Sequence, residues 1–277
     1  METITSRQNA LVRTFRRVAA RRGGRLLLEG PHLVADALAA GVDVEVAAFS
    51  ARLLERHAGD RGTELRRLVD QLERTRARVV GVSQLVMAAI SPAESPSGVV
   101  AIATHEPPAV DAALNGAPSR SAPLVLLIAD VQDPGNLGAI IRTAEAAGAT
   151  GVVACGDSAD PYGWKALRGA MGSSIRLPVA GRPPTRDAVA AARARGLRIV
   201  ATSPRGGRSL FDVDLRRPTA LLVGGEGSGL AADIAALADE LISIPMHGSV
   251  ESLNVAVSAG LVLYEAFRQR QRHRTGD

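Results

Sequence analysis

Cysteine and lysine are nearly absent from this chain. One cysteine, Cys155, cannot form a disulfide framework, and with only five histidines beside it a zinc site built on several thiolates is excluded. Lys165 is the sole lysine, so arginine supplies the other 32 of the 33 basic side chains. No apolar run reaches the about 18 residues a membrane span requires. The opening METITSRQNALVRTFRR lacks the apolar stretch of a secretory signal, and a soluble cytoplasmic protein is the expectation.

What is present is a chain of 277 residues, 46% apolar, long enough for one large domain or two ordinary ones and rich enough for a real core. Basic groups outnumber the 28 acidic ones and leave a net charge of +5. A GC-rich genome also favours arginine, so the excess by itself assigns no partner. A guanidinium nevertheless pairs with phosphate in a two-pronged fork and stacks on bases, which is what a basic polyanion-binding surface needs.

One composition break divides the chain. Residues 106–123 (EPPAVDAALNGAPSRSAP) hold Pro107, Pro108, Pro118 and Pro123 without a sustained apolar period. They read as a linker between a first domain, 1–105, and a second, 124–277. No internal repeat is evident. In the first domain, strands are expected at 25–30 (RLLLEG), 44–50 (VEVAAFS), 78–83 (RVVGVS) and 98–104 (GVVAIAT), with helices around 32–40, 63–76 and 84–89. Ahead of them, 7–25 carries Arg7, Arg13, Arg16, Arg17, Arg21, Arg22 and Arg25, with Leu11, Phe15 and Val18 at helical spacing. That segment is either an amphipathic helix with a solvated face or a basic arm for a polyanion backbone. In the second domain, strands at 124–130, 151–155, 197–202, 219–224 and 240–245 alternate with helices at 136–147, 185–195 and 253–270. Such alternation gives an α/β fold with a mostly parallel sheet and helices on both faces, where ligands bind beyond the carboxyl ends of the strands.

Three loops at such strand ends are informative. In 130–142 (DVQDPGNLGAIIR) a Pro-Gly turn leads into a helix capped by Asn136, with Leu137, Ile140, Ile141 and Ala144 as its apolar stripe. Arg142 lies off that stripe, and taken alone it is an exposed arginine paired with Glu145 on the same face. In 221–230 (LLVGGEGSGL) glycines surround Glu226, so backbone N–H groups can come close to a ligand. Taken alone this is a glycine turn, and its spacing is not the Gly-x-Gly-x-x-Gly of a dinucleotide site. In 242–264 (ISIPMHGSVESLNVAVSAGLVLY) a strand ends at Pro245 and Ser252-Leu253-Asn254 opens the last helix. Residues two apart stand about 200° apart on a regular helix, so Ser252 and Asn254 share a site only if Ser252 is still in the loop or cap. Taken alone, Ser252 is the cap and Asn254 a buried, hydrogen-bonded amide.

In order and spacing, these loops resemble the three signature motifs of the SpoU (TrmH-like) RNA ribose 2′-O-methyltransferases of the SPOUT superfamily. Asn136, Gly138 and Arg142 match the first motif. Gly224-Gly225-Glu226-Gly227-Ser228-Gly229-Leu230 matches the second, and Ile244-Pro245-Met246 with Ser252-Leu253-Asn254-Val255 matches the third. No key position departs, and the resemblance covers about 122–270. More loosely, Ile4-Thr5-Ser6 with Asn9, then Leu28-Glu29-Gly30, resemble the family's ribosomal-protein-like substrate-binding domain.

The resemblance implies a trefoil knot in the carboxyl-terminal domain, a homodimer and S-adenosylmethionine as cofactor, without a metal. The cofactor would be held by Thr202 and Ser203, by Gly224, Gly225 and Gly229, and by Ile244, Met246 and Leu253. Arg142 is implied to be catalytic. A guanidinium stays protonated in ordinary surroundings, so stabilising the developing alkoxide suits it better than general-base work, with the proton passing to phosphate or water. Asn136, Glu226, Ser252 and Asn254 would orient Arg142, the ribose and the cofactor loops. The expected substrate is 23S rRNA, for ribosome maturation or antibiotic resistance, with tRNA as the alternative. A non-catalytic RNA-binding protein on the same scaffold is a second alternative, but a pure binder has no chemical need for the five polar residues. A hydrolase using Ser249 or Ser252 with His247 is disfavoured, since the Gly-x-Ser-x-Gly elbow is missing and neighbours on one loop make poor triad geometry.

Overall fold

The computed structural model describes residues 1–20, 24–56, 64–116, 122–227 and 229–275, with side chains to 271. Arg21, Arg22, Thr63, Pro118 and Ser228 lie outside the described residues. The chain divides into two compact units, Met1–Glu106 with Tyr162–Ile175, and Pro107–Pro161 with Arg176–Asp277.

The first unit holds strands β1 (Glu2–Ile4), β2 (Arg25–Glu29), β3 (Asp43–Ser50), β4 (Arg78–Val82) and β5 (Val99–Thr104), in the spatial order β1-β4-β3-β5-β2. β1, β4 and β3 run parallel, while β5 is antiparallel to both of its neighbours. The helix Ala10–Ala20 places Val12, Phe15 and Val18 in the core and turns Arg13, Arg16 and Arg17 to solvent. Leu11, read from the sequence as part of its apolar stripe, is only half-buried, because Val12 occupies the inward position instead. Trp164, on the helix Trp164–Ala170, also packs against this core.

The second unit is built on β6 (Leu124–Ala129), β7 (Gly151–Cys155), β8 (Val179–Gly181), β9 (Arg198–Thr202), β10 (Arg208–Ser209), β11 (Thr219–Gly224) and β12 (Glu240–Ser243). Their order is β10-β12-β9-β11-β6-β7-β8, and every pairing is parallel. β6, β7 and β11 are buried at every residue. Unbroken apolar runs such as LVLLIA are what inner strands of a two-sided parallel sheet require. The α/β class read from the sequence is therefore the observed one. The strands β1, β8 and β10, of two or three residues each, were not anticipated. Segments that short carry no readable period.

Three local expectations are corrected. Within 106–123, read as a linker, Val110–Asn115 is helical and buries Ala113 and Leu114 in the core of the second unit. The helix expected to start at Asn136 runs from Pro134 to Ala146, because Asp133 is its cap: its carboxylate accepts from the Asn136 N–H at 2.7 Å. Pro134 in the first turn lacks the N–H that would otherwise go unpaired. The last helix begins at Val255, two residues later than expected.

Gly151 opens β7 directly beneath the short Val110–Asn115 helix. A Cβ there would lie 1.9 Å from the Ala113 carbonyl oxygen, so the helix has to move to accept any side chain. Gly151→Ala is expected to destabilise the protein by about 1–3 kcal/mol, lowering Tm by about 3–10 °C. An unchanged thermal melt would show that residues 107–116 are loosely attached.

Candidate active site

With all seven strands parallel, the loops leaving β6, β9, β11 and β12 emerge on one edge of the sheet. A cavity of about 320 Å³ opens among the last three of these. One wall comes from β9 and its loop, through Thr202, Ser203 and Pro204. The second is the turn after β11, with Gly224, Gly225, Glu226 and Gly229. The third comes from β12 and the entry to the last helix, through Ile244, Met246, Ser252, Leu253 and Asn254. All eight residues read from the sequence as cofactor-binding thus line one cavity, together with Glu226, Ser252 and Asn254.

The glycines have a physical reason. A Cβ on Gly224 would meet the Gly229 carbonyl carbon and the Leu230 nitrogen at 2.4 Å, and one on Gly225 would stand 2.2 Å from the Asp130 carbonyl oxygen. Gly225 and Gly229 form a β-bridge across the turn, so the segment folds tightly back on itself and shows the cavity bare backbone. Opposite it lie the apolar side chains of Ile242, Ile244, Met246, Leu253 and Val255. An enclosure of exposed amides and apolar walls suits a neutral aromatic base read by edge hydrogen bonds.

A polar cluster sits at the rim. The two carboxylate oxygens of Glu226 accept from Asn136 Nδ2 at 2.8 Å and from the Gln132 backbone N–H at 3.3 Å. Asn136 Oδ1 accepts in turn from Asn254 Nδ2 at 3.2 Å. Asn254 Oδ1 accepts the Ala256 and Val257 N–H groups at 2.9 and 3.3 Å and so caps the last helix. This reverses the roles read for the third loop: Asn254 is the cap and is exposed, while Ser252 is an exposed loop residue. Because the helix starts only at Val255, both precede it and both reach the cavity.

Arg142 stands apart from this cluster. It is exposed, six residues beyond Asn136 on the same helix and hence about 9 Å along its axis. It does not line the cavity and, among the described residues, has no hydrogen-bond or ion-pair partner. The pairing with Glu145 is not formed, because Arg176 takes both oxygens of that carboxylate at 2.9 and 2.8 Å.

Sequence reasoning missed Gln132, which acts through its backbone and carries no side-chain signal, and Asp133, which a Pro at the next position should have marked as a cap. Cys155 ends β7 fully buried, its thiol pushed up to about 12 by burial and the nearby Asp130 carboxylate, so it is no nucleophile. Among the described residues, no hydrogen bond joins His247 to Ser249 or Ser252, and no group of three or more His, Cys, Asp or Glu is arranged to hold a metal. No helix among them is long and apolar enough to cross a membrane.

Residues 123–264 match the SpoU rRNA Methylase family, and residues 11–101 match the MRM3-like substrate binding domain. An uncharacterized tRNA/rRNA methyltransferase of Synechocystis is 37% identical over 97% of this chain and 94% of its own length. The 23S rRNA (guanosine(2553)-2′-O)-methyltransferase RlmP of Bacillus subtilis is 32% identical over 95% of this chain and 98% of its own. Among solved structures, an AdoMet-bound rRNA methyltransferase from Sinorhizobium meliloti superposes with a TM-score of 0.81 at 30% identity, covering 96% of this chain and 97% of that one.

Asn254→Ala removes the cap and is expected to cost about 1 kcal/mol, a fall in Tm of about 2–4 °C. Asn254→Asp keeps a capping oxygen and should melt close to wild type while losing the donor to Asn136. Equal destabilisation by both variants in thermal denaturation would refute the capping role.

Proposed function

Because the chain belongs to the SpoU rRNA methylase family, we propose that it transfers a methyl group from S-adenosylmethionine to the 2′-hydroxyl of one ribose in 23S rRNA. The observation that carries this reading is a cavity lined by Gly224, Gly225, Gly227 and Gly229 and rimmed by Glu226, Asn136 and Asn254. The S. meliloti neighbour holds the cofactor, and the walls here fit it: bare amides and apolar side chains for the adenine, with Thr202 and Ser203 on the β9 side. When bound, the cofactor supplies a methyl group already activated by a positive sulfur.

The chain's own residues then have two tasks. The rim cluster of Glu226, Asn136, Ser252 and Asn254 orients the ribose and fixes the loops that grip the cofactor, since positioning alone supplies much of the rate of such a transfer. Arg142, cationic and free of partners among the described residues, stabilises the oxyanion that develops as the 2′-hydroxyl loses its proton to phosphate or water. The first unit serves as the RNA-binding domain. No carboxylate occurs between Glu2 and Glu29, and Arg13, Arg16 and Arg17 share the exposed side of one helix, as phosphate contacts require. In this reading the protein works in the cytoplasm, alongside the ribosomal RNA it modifies.

The enzyme acts as a homodimer in this reading. On the last helix Val257, Leu261 and Tyr264 are 52%, 44% and 50% exposed at successive turns, and Phe211 shares a groove with Leu261 and Tyr264. An unpartnered apolar stripe of that length supports self-association. Sedimentation of Leu261→Glu with Tyr264→Glu should report a monomer where wild type is a dimer; a monomeric wild type overturns the assignment.

The functional test is methyl transfer from labelled cofactor to protein-free 23S rRNA and, separately, to bulk tRNA, with the product digested to nucleosides. A 2′-O-methylated nucleoside from 23S rRNA is expected. Arg142→Ala should lower kcat by about 100- to 1,000-fold and leave the cofactor Kd unchanged, because Arg142 lies outside the cavity lining. Label confined to tRNA would overturn the substrate, and a methylated base would overturn the ribose chemistry.

A further inference from the structure

The loop after β7, belonging to none of the three motifs, braces the start of the first motif's loop at Asp130. Asp130 directly follows β6 with φ at 59°, in the left-handed region that residues other than Gly, Asn and Asp seldom enter. The sharp turn aims its two oxygen-bearing groups in different directions. Its carbonyl oxygen fills the space a Cβ on Gly225 would take, 2.2 Å away, and its carboxylate oxygen fills the corresponding space on Gly156, 2.3 Å away. Two glycines on two different loops are therefore bare because Asp130 stands against both.

Bonds to the loop after β7 fix that turn. The Asp157 N–H donates to Asp130 Oδ1 at 2.8 Å, and the Ala159 N–H to the Val131 carbonyl at 2.8 Å. Ser158, 2% exposed, accepts the Val131 N–H at 3.2 Å and donates its hydroxyl proton to the Ile128 carbonyl at 3.1 Å. A buried hydroxyl with both capacities used is a stitch between two loops, not an incidental serine. The residue after Val131 is Gln132, whose N–H donates to one Glu226 carboxylate oxygen, and four further on is Asn136, whose Nδ2 donates to the other.

We propose that Asp130 and Ser158 are positioning residues of the transfer reaction, holding the loop after β6 so that Gln132 and Asn136 fix the Glu226 carboxylate. The inference rests on the methyl transfer proposed above and adds a fourth loop to the machinery. Neither side chain touches the cavity; both act through Glu226.

The test compares wild type with Asp130→Asn, Asp130→Gly and Asp130→Ala, each alone and combined with Glu226→Gln. Steady-state transfer to 23S rRNA is measured together with amide hydrogen exchange. Asn keeps an acceptor and tolerates positive φ, and should stay within about threefold of wild type. Gly keeps the turn but loses the acceptor, and Ala loses both, so kcat should fall by about 10-fold and about 100-fold with KM for RNA little changed. In the Glu226→Gln background these losses should nearly vanish, because the Asp130 effect passes through that carboxylate. Exchange at Gln132 and across 224–227 should quicken in the Gly and Ala variants and not in Asn. Ser158→Ala should repeat the Gly pattern.

Undiminished kcat in the Gly variant, losses that multiply with Glu226→Gln, or unchanged exchange would each overturn the proposal. If Asp130→Ala fails to fold, the Gly variant, free of the φ restraint, still decides. If wild type methylates neither RNA, the functional reading fails on its own, and exchange at Gln132 in Asp130→Gly against Asp130→Asn still tests the relay.

Discussion

An exposed glutamate flanked by glycines has no conformation of its own. Glu226 sits between Gly225 and Gly227, in a stretch whose backbone freedom exceeds that of any other residue type. It is fixed only because both carboxylate oxygens are taken by donors from another loop, the Gln132 amide and the Asn136 side chain. Bonds to a charged acceptor are the stronger kind, and two of them from one rigid helix entry give direction as well as energy. Asn136 is in turn locked because its remaining oxygen receives Asn254, which is anchored by capping the last helix. The conformations of three loops thus depend on one carboxylate being shared.

The parallel sheet makes such sharing possible. Asn136 and Asn254 lie 118 residues apart in the chain. They meet because β12, β9, β11 and β6 are neighbours in that order and all point the same way, so every following loop leaves from the same edge. Close packing then fixes the spacing. Gly224 lies against Gly229 and Leu230, and Gly225 against Asp130, at distances no side chain permits.

Most residues that line the candidate cavity were legible in the sequence; Gln132 and the pairings among them were not. Glycine spacing around Glu226, the Asn136–Arg142 interval and the Ser252-Leu253-Asn254 run mark places where a side chain or its absence matters, and such marks survive in one dimension. Which amide bonds which carboxylate depends on strand order, and strand order is invisible until the sheet is assembled. The same limit explains the cap assignments. Asn136 and Ser252 are good capping residues by type. Asp133 and Asn254 win because Pro134 starts one helix early and the Ser252 segment is held out along the cavity wall. The short helix Val110–Asn115 was hidden by the prolines and glycine that flank it, although Ala113 and Leu114 are buried. Glu145 was assigned to Arg142 by helical spacing, but Arg176 approaches with two parallel bonds, and a bidentate fork outcompetes a single intrahelical contact.

The arrangement separates gripping from reacting. The cavity offers backbone and apolar surface, so its contribution to a bound molecule comes from shape and burial and changes little with ionic conditions. Of the charged groups, Glu226 stands at the exposed rim of the cavity and Arg142 outside its lining, both in water, where an isolated charge contributes little energy unless it is held in place. Glu226 is held from two sides; Arg142 is held by nothing among the described residues. A guanidinium without a partner among the described residues, on the helix whose first turn holds Asn136, is the state expected before a polyanion arrives. In the proposed reaction the phosphates that RNA brings would be the partners of Arg142, and its ordering would coincide with binding. Under that proposal the substrate would position the cation, while the protein's own hydrogen bonds keep the receiving loops still.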